Sequence, residues 1–408
     1  MNDNAASKPQ LLTRRQELLL ALAVAVVTAN AYYIHPIIAD VADGFGVSNA
    51  RIGIVPALNQ LALAIGILLL LPLGDRYSNR KLTIWFTAGQ CAGLSIMTLA
   101  PGFALFTVGS TLLGFFTIAP YLLPAYASRR VTPERLGYVT ATLTAGVLFG
   151  ILVARVGAGV VAEYFGWRSV YWIATIAMLA MAVALPRIMP NTEVQAPKES
   201  QQPYLALVLS VFPLLKSHKE IMLSGAIQAI GFGQFIALWL ALALHLTSSE
   251  MGYGTDVVGY LAGFAALSVL TTPRLGQWSD RIGPRRARLA LAVIQMAGTA
   301  LLFPFGESIW LLMIPILITS TVGPAIDVCT RMTFLSQEPA LRTRLTTIYI
   351  VIMFIGGGAG SVFGTAVYDA YGWSGTAIAV LASCATLTAL SAIGLRIYGS
   401  GAPKRIPA

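Results

Sequence analysis

From residue 16 to residue 397 the chain is a succession of apolar runs, at 16–42, 51–73, 82–100, 103–127, 138–162, 168–189, 219–246, 256–278, 285–303, 307–335, 342–368 and 373–397. A helix needs roughly 20 apolar residues to cross about 30 Å of hydrocarbon. In that solvent every backbone N–H and C=O must be satisfied within its own helix or around a closed barrel, and barrel strands are about half this length. The runs therefore predict an all-α polytopic membrane protein of twelve transmembrane helices. Composition agrees, with 56% hydrophobic residues, 11% charged residues and a mean hydropathy of +0.73.

A formal charge of +10 raises the question of nucleic acid, and the placement of the charge excludes it. With the N-terminus inside, 23 of the 27 Lys and Arg fall in the N-terminal segment, the even-to-odd loops and the C-terminal tail. Arg51 and Arg168 lie on the other side, and Arg155 and Arg331 fall within spans. This asymmetry predicts both termini in the cytoplasm of a cell whose inner membrane holds the protein. Cys91, Cys329 and Cys384 all lie inside spans with no metal-ligand spacing, so neither a metal nor a disulfide framework is expected. The apolar run after Arg14-Arg15 continues well past the length of a leader peptide, so it reads as the first span.

The chain repeats itself. "LGDRYSNRK" at 73–81 returns as "WSDRIGPRR" at 278–286, which sets Asp75-Arg76 against Asp280-Arg281. "EYFGW" at 163–167 matches "DAYGW" at 369–373, and Pro133 matches Pro339. The common offset is about half the chain and implies parallel six-helix halves, 1–189 and 219–408. Between them, 190–218 holds a polar, Pro-containing linker and a short segment, "YLALVLSVFPLL", suited to lying on the membrane surface.

On these motifs the sequence resembles the major facilitator superfamily of secondary transporters over essentially its whole length. The second loop copy keeps Gly276, Asp280, Arg281, Gly283 and Arg285 of that family's signature; the first departs at Leu71, Ser78 and Asn79. "ANAYYIHPI", "LVARVGAGVVAEYFGWRSVY" and "FIGGGAGSVFG" look like its bacterial arabinose-efflux-like and multidrug-efflux-like branch. The resemblance implies that Asp75, Arg76 and Arg80, with Asp280, Arg281 and Arg285, gate the cytoplasmic side; the alternative is that these loops only set topology. It also implies an Arg in helix 4, where this chain has Ser110.

An ionisable residue deep in a membrane is costly and faces a cavity or a partner. Arg155 has the neutral Ser361 as its repeat mate, so a substrate anion, a coupling carboxylate or backbone carbonyls are its candidate partners. Asp327 could carry a proton or pair permanently with Arg331 one turn on. His35, beside Pro36, could bind or shuttle protons or serve as a polar spacer. Tyr33, Gln60 and Trp239 lead a wider set of cavity candidates: Tyr32, Asn59, Tyr121, Gln234, Phe235 and Tyr349. The Gly-rich runs of helices 5 and 11 read as the interface on which the halves rock.

No nucleophile and base pair, metal cluster or phosphate loop suggests an enzyme. The expectation is a monomeric alternating-access transporter without cofactor, exchanging a small amphipathic molecule for protons across the lipid bilayer, with export implied by the branch resemblance. The alternatives are uptake or facilitated passage of a small organic anion, and a non-transporting sensor.

Overall fold

The computed structural model describes residues 11–189, 203–335 and 339–400. The first half comprises α1 (Arg14–Ala29), α2 (Ile38–Phe45), α3 (Asn49–Ile52), α4 (Ile54–Leu70), α5 (Asn79–Leu99), α6 (Phe103–Phe116), α7 (Ala119–Ser128), α8 (Pro133–Phe165) and α9 (Trp167–Ile188). Two short helices, α10 (Tyr204–Leu209) and α11 (Phe212–Ser217), precede the second half. That half comprises α12 (Lys219–Leu246), α13 (Thr255–Ala266), α14 (Thr272–Ile282), α15 (Pro284–Ala300), α16 (Ile309–Leu335) and α17 (Pro339–Tyr398). α17 holds the last two spans and turns between them at Gly372, whose φ of 60° suits a residue without a Cβ.

Among the described residues, eight helical stretches are long and apolar enough to cross a membrane by themselves, the last of them long enough for two spans. The other three spans depart from a plain apolar helix for local reasons. The eighth is divided into α13 and α14 by a 3-10 segment, Leu267–Thr271, and the ninth, α15, is 17 residues long with a basic first turn. The first is not the continuous helix expected over 16–42. α1 opens on a capping box, Gln16 N donating to Thr13 Oγ1 and Thr13 N to Gln16 Oε1, but it ends at Ala29. Residues 30–37 follow as turns held by short-range bonds, including Tyr32 N to Ala29 O at 2.9 Å and His35 N to Tyr32 O at 3.2 Å. Pro36 has no N–H to give a helical ladder. Non-helical backbone at membrane depth is tolerated where it is buried in protein or lines a cavity, and Ile34, His35 and Ile37 here are all buried.

Glycines set how the helices pair. A Cβ on Gly146 or Gly150 of α8 would strike the Ala21 or Ala25 carbonyl of α1; on Gly356 or Gly360 of α17 it would strike that of Ala229 or Gly233 in α12. One face of each Gly-rich run thus packs within its own half. Another face of the same runs approaches the other half: Gly159 of α8 against Gly259 of α13, and Gly358 of α17 against Ala57 and Leu61 of α4. The two cross-half pairs, α8 with α13 and α17 with α4, are equivalents under the repeat.

Both described termini lie at one end of the bundle, where Leu12 N donates to Arg130 O and Arg285 N to Ser400 O. At the opposite, far end the halves are latched. Ser361 Oγ donates to Gly53 O at 2.7 Å, and Thr255 Oγ1 to Gly159 O at 3.0 Å. Glu163, in the last turn of α8, accepts from Thr255 N at 2.9 Å, placing a carboxylate on the N-terminus of α13.

Candidate functional site between the halves

The break in the first span gathers one cluster. Arg155, on α8 and 6% exposed, directs its Nη2 at His35 Nδ1, 3.0 Å away. Its guanidinium carbon stands over three rings: Trp239 at 4.5 Å and Phe235 at 4.8 Å, both from α12 of the other half, and Tyr32 at 5.6 Å from the break. Arg155 Nε and His35 Nε2 are buried with no hydrogen-bond partner. The structure therefore brings together three residues singled out in the sequence, Arg155, His35 and Trp239, and adds Tyr32 and Phe235 as equal members. A Lys or Arg over a ring gains about 0.5–2 kcal/mol. Burying a charge costs several kcal/mol even after relaxation, and rings carry no countercharge, so the cation remains uncompensated.

A second cluster belongs to the C-terminal half. Arg331 Nε donates to Asp327 Oδ1 and Oδ2, each at 3.0 Å, and Tyr349 Oη donates to Oδ1 at 2.6 Å. Arg331 also stands 4.8 Å from the Tyr349 ring centre. Of the two alternatives for Asp327, the ion pair is what this conformation contains. Tyr121 of α7 reaches the other half through its ring, which meets that of Phe354 at 6.4 Å.

The remaining candidates are dispersed. Gln60 is buried with Oε1 unpartnered, and Tyr33 is half-buried against the apolar core. Asn59 donates to the Ser110 carbonyl at 2.8 Å, so the helix 4 position that carries Arg elsewhere in the family here braces α4. Among the gating residues, Asp75 closes the 3-10 turn Leu71–Asp75, Arg76 is exposed, and Arg80 Nε donates to Pro186 O at 2.9 Å within its own half. Arg285 pairs with Glu220 at 2.5 Å, also within its half. Asp280 and Arg281 are exposed, and Asp280 accepts no hydrogen bond among the described residues. The latched end in this conformation is the opposite one. Sequence reasoning missed the Glu163 to Thr255 latch: Glu163 was noted only as a mark of the repeat.

Two helical halves enclosing polar clusters within a membrane define a polytopic carrier. The chain matches the model of the Major Facilitator Superfamily over residues 20–339 and again over 221–406, and it belongs to that family. It is 30% identical over 363 residues to the uncharacterized transporter YgaY of Escherichia coli O157:H7, covering 89% of this chain and 91% of that one. A probable nitrate/nitrite transporter, NarK2 of Mycobacterium tuberculosis, is 30% identical over 70% of each chain. The multidrug resistance protein MdtG of Escherichia fergusonii is 25% identical over 84% of each. Among solved structures, a bacterial homolog of the human lysosomal transporter Spinster, inward-facing and unoccupied, superposes with a TM-score of 0.78 at 13% identity, covering 96% of this chain and 98% of that one. The protein is thus a multi-pass transporter of the bacterial inner membrane, and not an enzyme.

Proposed function

We propose that the protein moves a small amphipathic organic molecule by alternating access, through a site formed where α8 and the broken first span face α12. The observation that carries this is the composite cluster: Arg155 and His35 come from one half, Phe235 and Trp239 from the other, so any rocking of the halves remakes the site. The latched far end and the shared fold with an inward-facing structure support reading this conformation as inward-open. The distribution of Lys and Arg supports placing the terminal end in the cytoplasm. Each chain carries both halves and works as a monomer in this reading.

Export in exchange for protons is supported by the efflux-like motifs and by the likeness to MdtG. Asp327 is then a brace of the C-terminal half, since Arg331 and Tyr349 belong to that same half and rocking does not part them. Proteoliposomes with an internal pH dye test the scheme, using Asp327→Asn beside wild type and a set of cationic, neutral and anionic compounds. Compound-driven proton movement that persists in Asp327→Asn is the expected result. Loss of that movement in the variant would make Asp327 the proton carrier, passage without protons would make the protein a facilitator, and no passage of any compound would contradict transport.

A further inference from the structure

We infer that the Arg155 cluster binds a monoanion with an aromatic or flat apolar body, through two N–H donors that have no acceptor of their own; this rests on the transport reading above. The argument begins with proton accounting. A guanidinium has donors only, so the contact between Arg155 Nη2 and His35 Nδ1 requires Nδ1 to be the acceptor. A ring accepting at Nδ1 is neutral and carries its proton at Nε2. His35 Nε2–H is buried without a partner, and so is Arg155 Nε–H. Both donors belong to side chains more than nine-tenths buried, at 1% and 6% exposure.

The cluster thus has a full positive charge and a surplus of donors, with no carboxylate among its partners. Asp327 does not serve it, because its oxygens are taken by Arg331 and Tyr349. That pairing also removes Arg331 as a free cation, so of these two clusters among the described residues it is Arg155 that holds an uncompensated charge, with a preference for a single negative charge. A cationic compound would add a second buried charge of the same sign. A neutral one would leave the cation unanswered. The walls set the rest of the ligand: Trp239, Phe235 and Tyr32 present ring surface around the guanidinium. A carboxylate on an aromatic ring satisfies both demands, accepting from the donors while its body lies on the rings.

Benzoate, benzamide and benzylamine form a nearly isosteric anionic, neutral and cationic series. Their binding to the purified, detergent-solubilised full chain is measured by calorimetry, and their flux by counterflow in proteoliposomes. Benzoate should bind at least about tenfold more tightly than the other two, lose at least about tenfold in Arg155→Gln, and recover part of that in Arg155→Lys. Benzylamine or benzamide binding as well as benzoate to wild type, or no binding by any of the three, overturns the inference without need of a variant. Unchanged benzoate affinity in a monodisperse Arg155→Gln preparation also overturns it. Benzoate that binds as expected but does not cross leaves the anion site standing and contradicts the transport reading.

Discussion

Arg155 and Asp327 are both ionisable side chains within apolar helices, and their surroundings answer the cost in opposite ways. Asp327 receives a cation and a hydroxyl from its own half and is locally complete. Arg155 receives rings and a neutral imidazole, which soften its burial but leave its charge. Removing the Asp327 charge should therefore act on stability. Asp327→Asn weakens the contacts to Arg331 and Tyr349 and should cost about 1–3 kcal/mol, read as a lower melting temperature in detergent, with transport retained. The presence of these two residues was legible because charge is scarce in apolar runs. Their partners were only half legible: Arg331 falls one turn from Asp327 on the same helix, whereas Phe235 and Trp239 lie about 80 positions from Arg155 and reach it only through the packing of the halves.

Elements explain what the residues alone do not. A Pro in the first span signalled a loosened ladder, but the chain goes further and abandons the helix from residue 30 to residue 37. That break presents Tyr32 and His35 to α8, and sequence periodicity does not register it because the residues on both sides stay apolar. Glycine runs were only partly legible for a related reason: Gly159 and Gly358 meet the other half, but Gly146, Gly150, Gly356 and Gly360 do not. Spacing of four shows that a neighbour comes close without showing which neighbour, and for Gly146, Gly150, Gly356 and Gly360 it is the first helix of the same half. Gly360→Val should place its side chain against the Gly233 backbone and destabilise the C-terminal half by about 1–3 kcal/mol or more. Thermal unfolding would register this, and a variant as stable as wild type would mean that α12 and α17 can separate freely.

At the scale of the whole molecule, the duplicated sequence produces duplicated contacts: α8 against α13 and α17 against α4 join the halves in equivalent ways. The twelve-span architecture was accessible from the apolar runs, whose length follows from the bilayer as solvent, and from the half-chain offset; the family was accessible through the resemblance of its loop motifs. The conformation was not, because one sequence must support more than one arrangement of its halves. Glu163 biases that balance toward a closed far end by placing charge on the N-terminus of α13. Glu163→Gln should relax the latch by about 0.3–1 kcal/mol, up to about a fivefold shift in the ratio of the two states, seen as faster labelling of a cysteine at the far end.

Alternating access is most directly tested by paired spin-label distances in a variant lacking Cys91, Cys329 and Cys384. One pair, Tyr77→Cys with Trp278→Cys, spans the halves at the terminal end; the other, Phe165→Cys with Tyr371→Cys, spans them at the far end, and all four positions are exposed. Distances are recorded before and after adding whichever of benzoate, benzamide and benzylamine binds most tightly. The account predicts opposite changes, with a population appearing in which the terminal-end pair is closer and the far-end pair farther apart. Distances that stay fixed at both ends, or that move in the same sense, would contradict it.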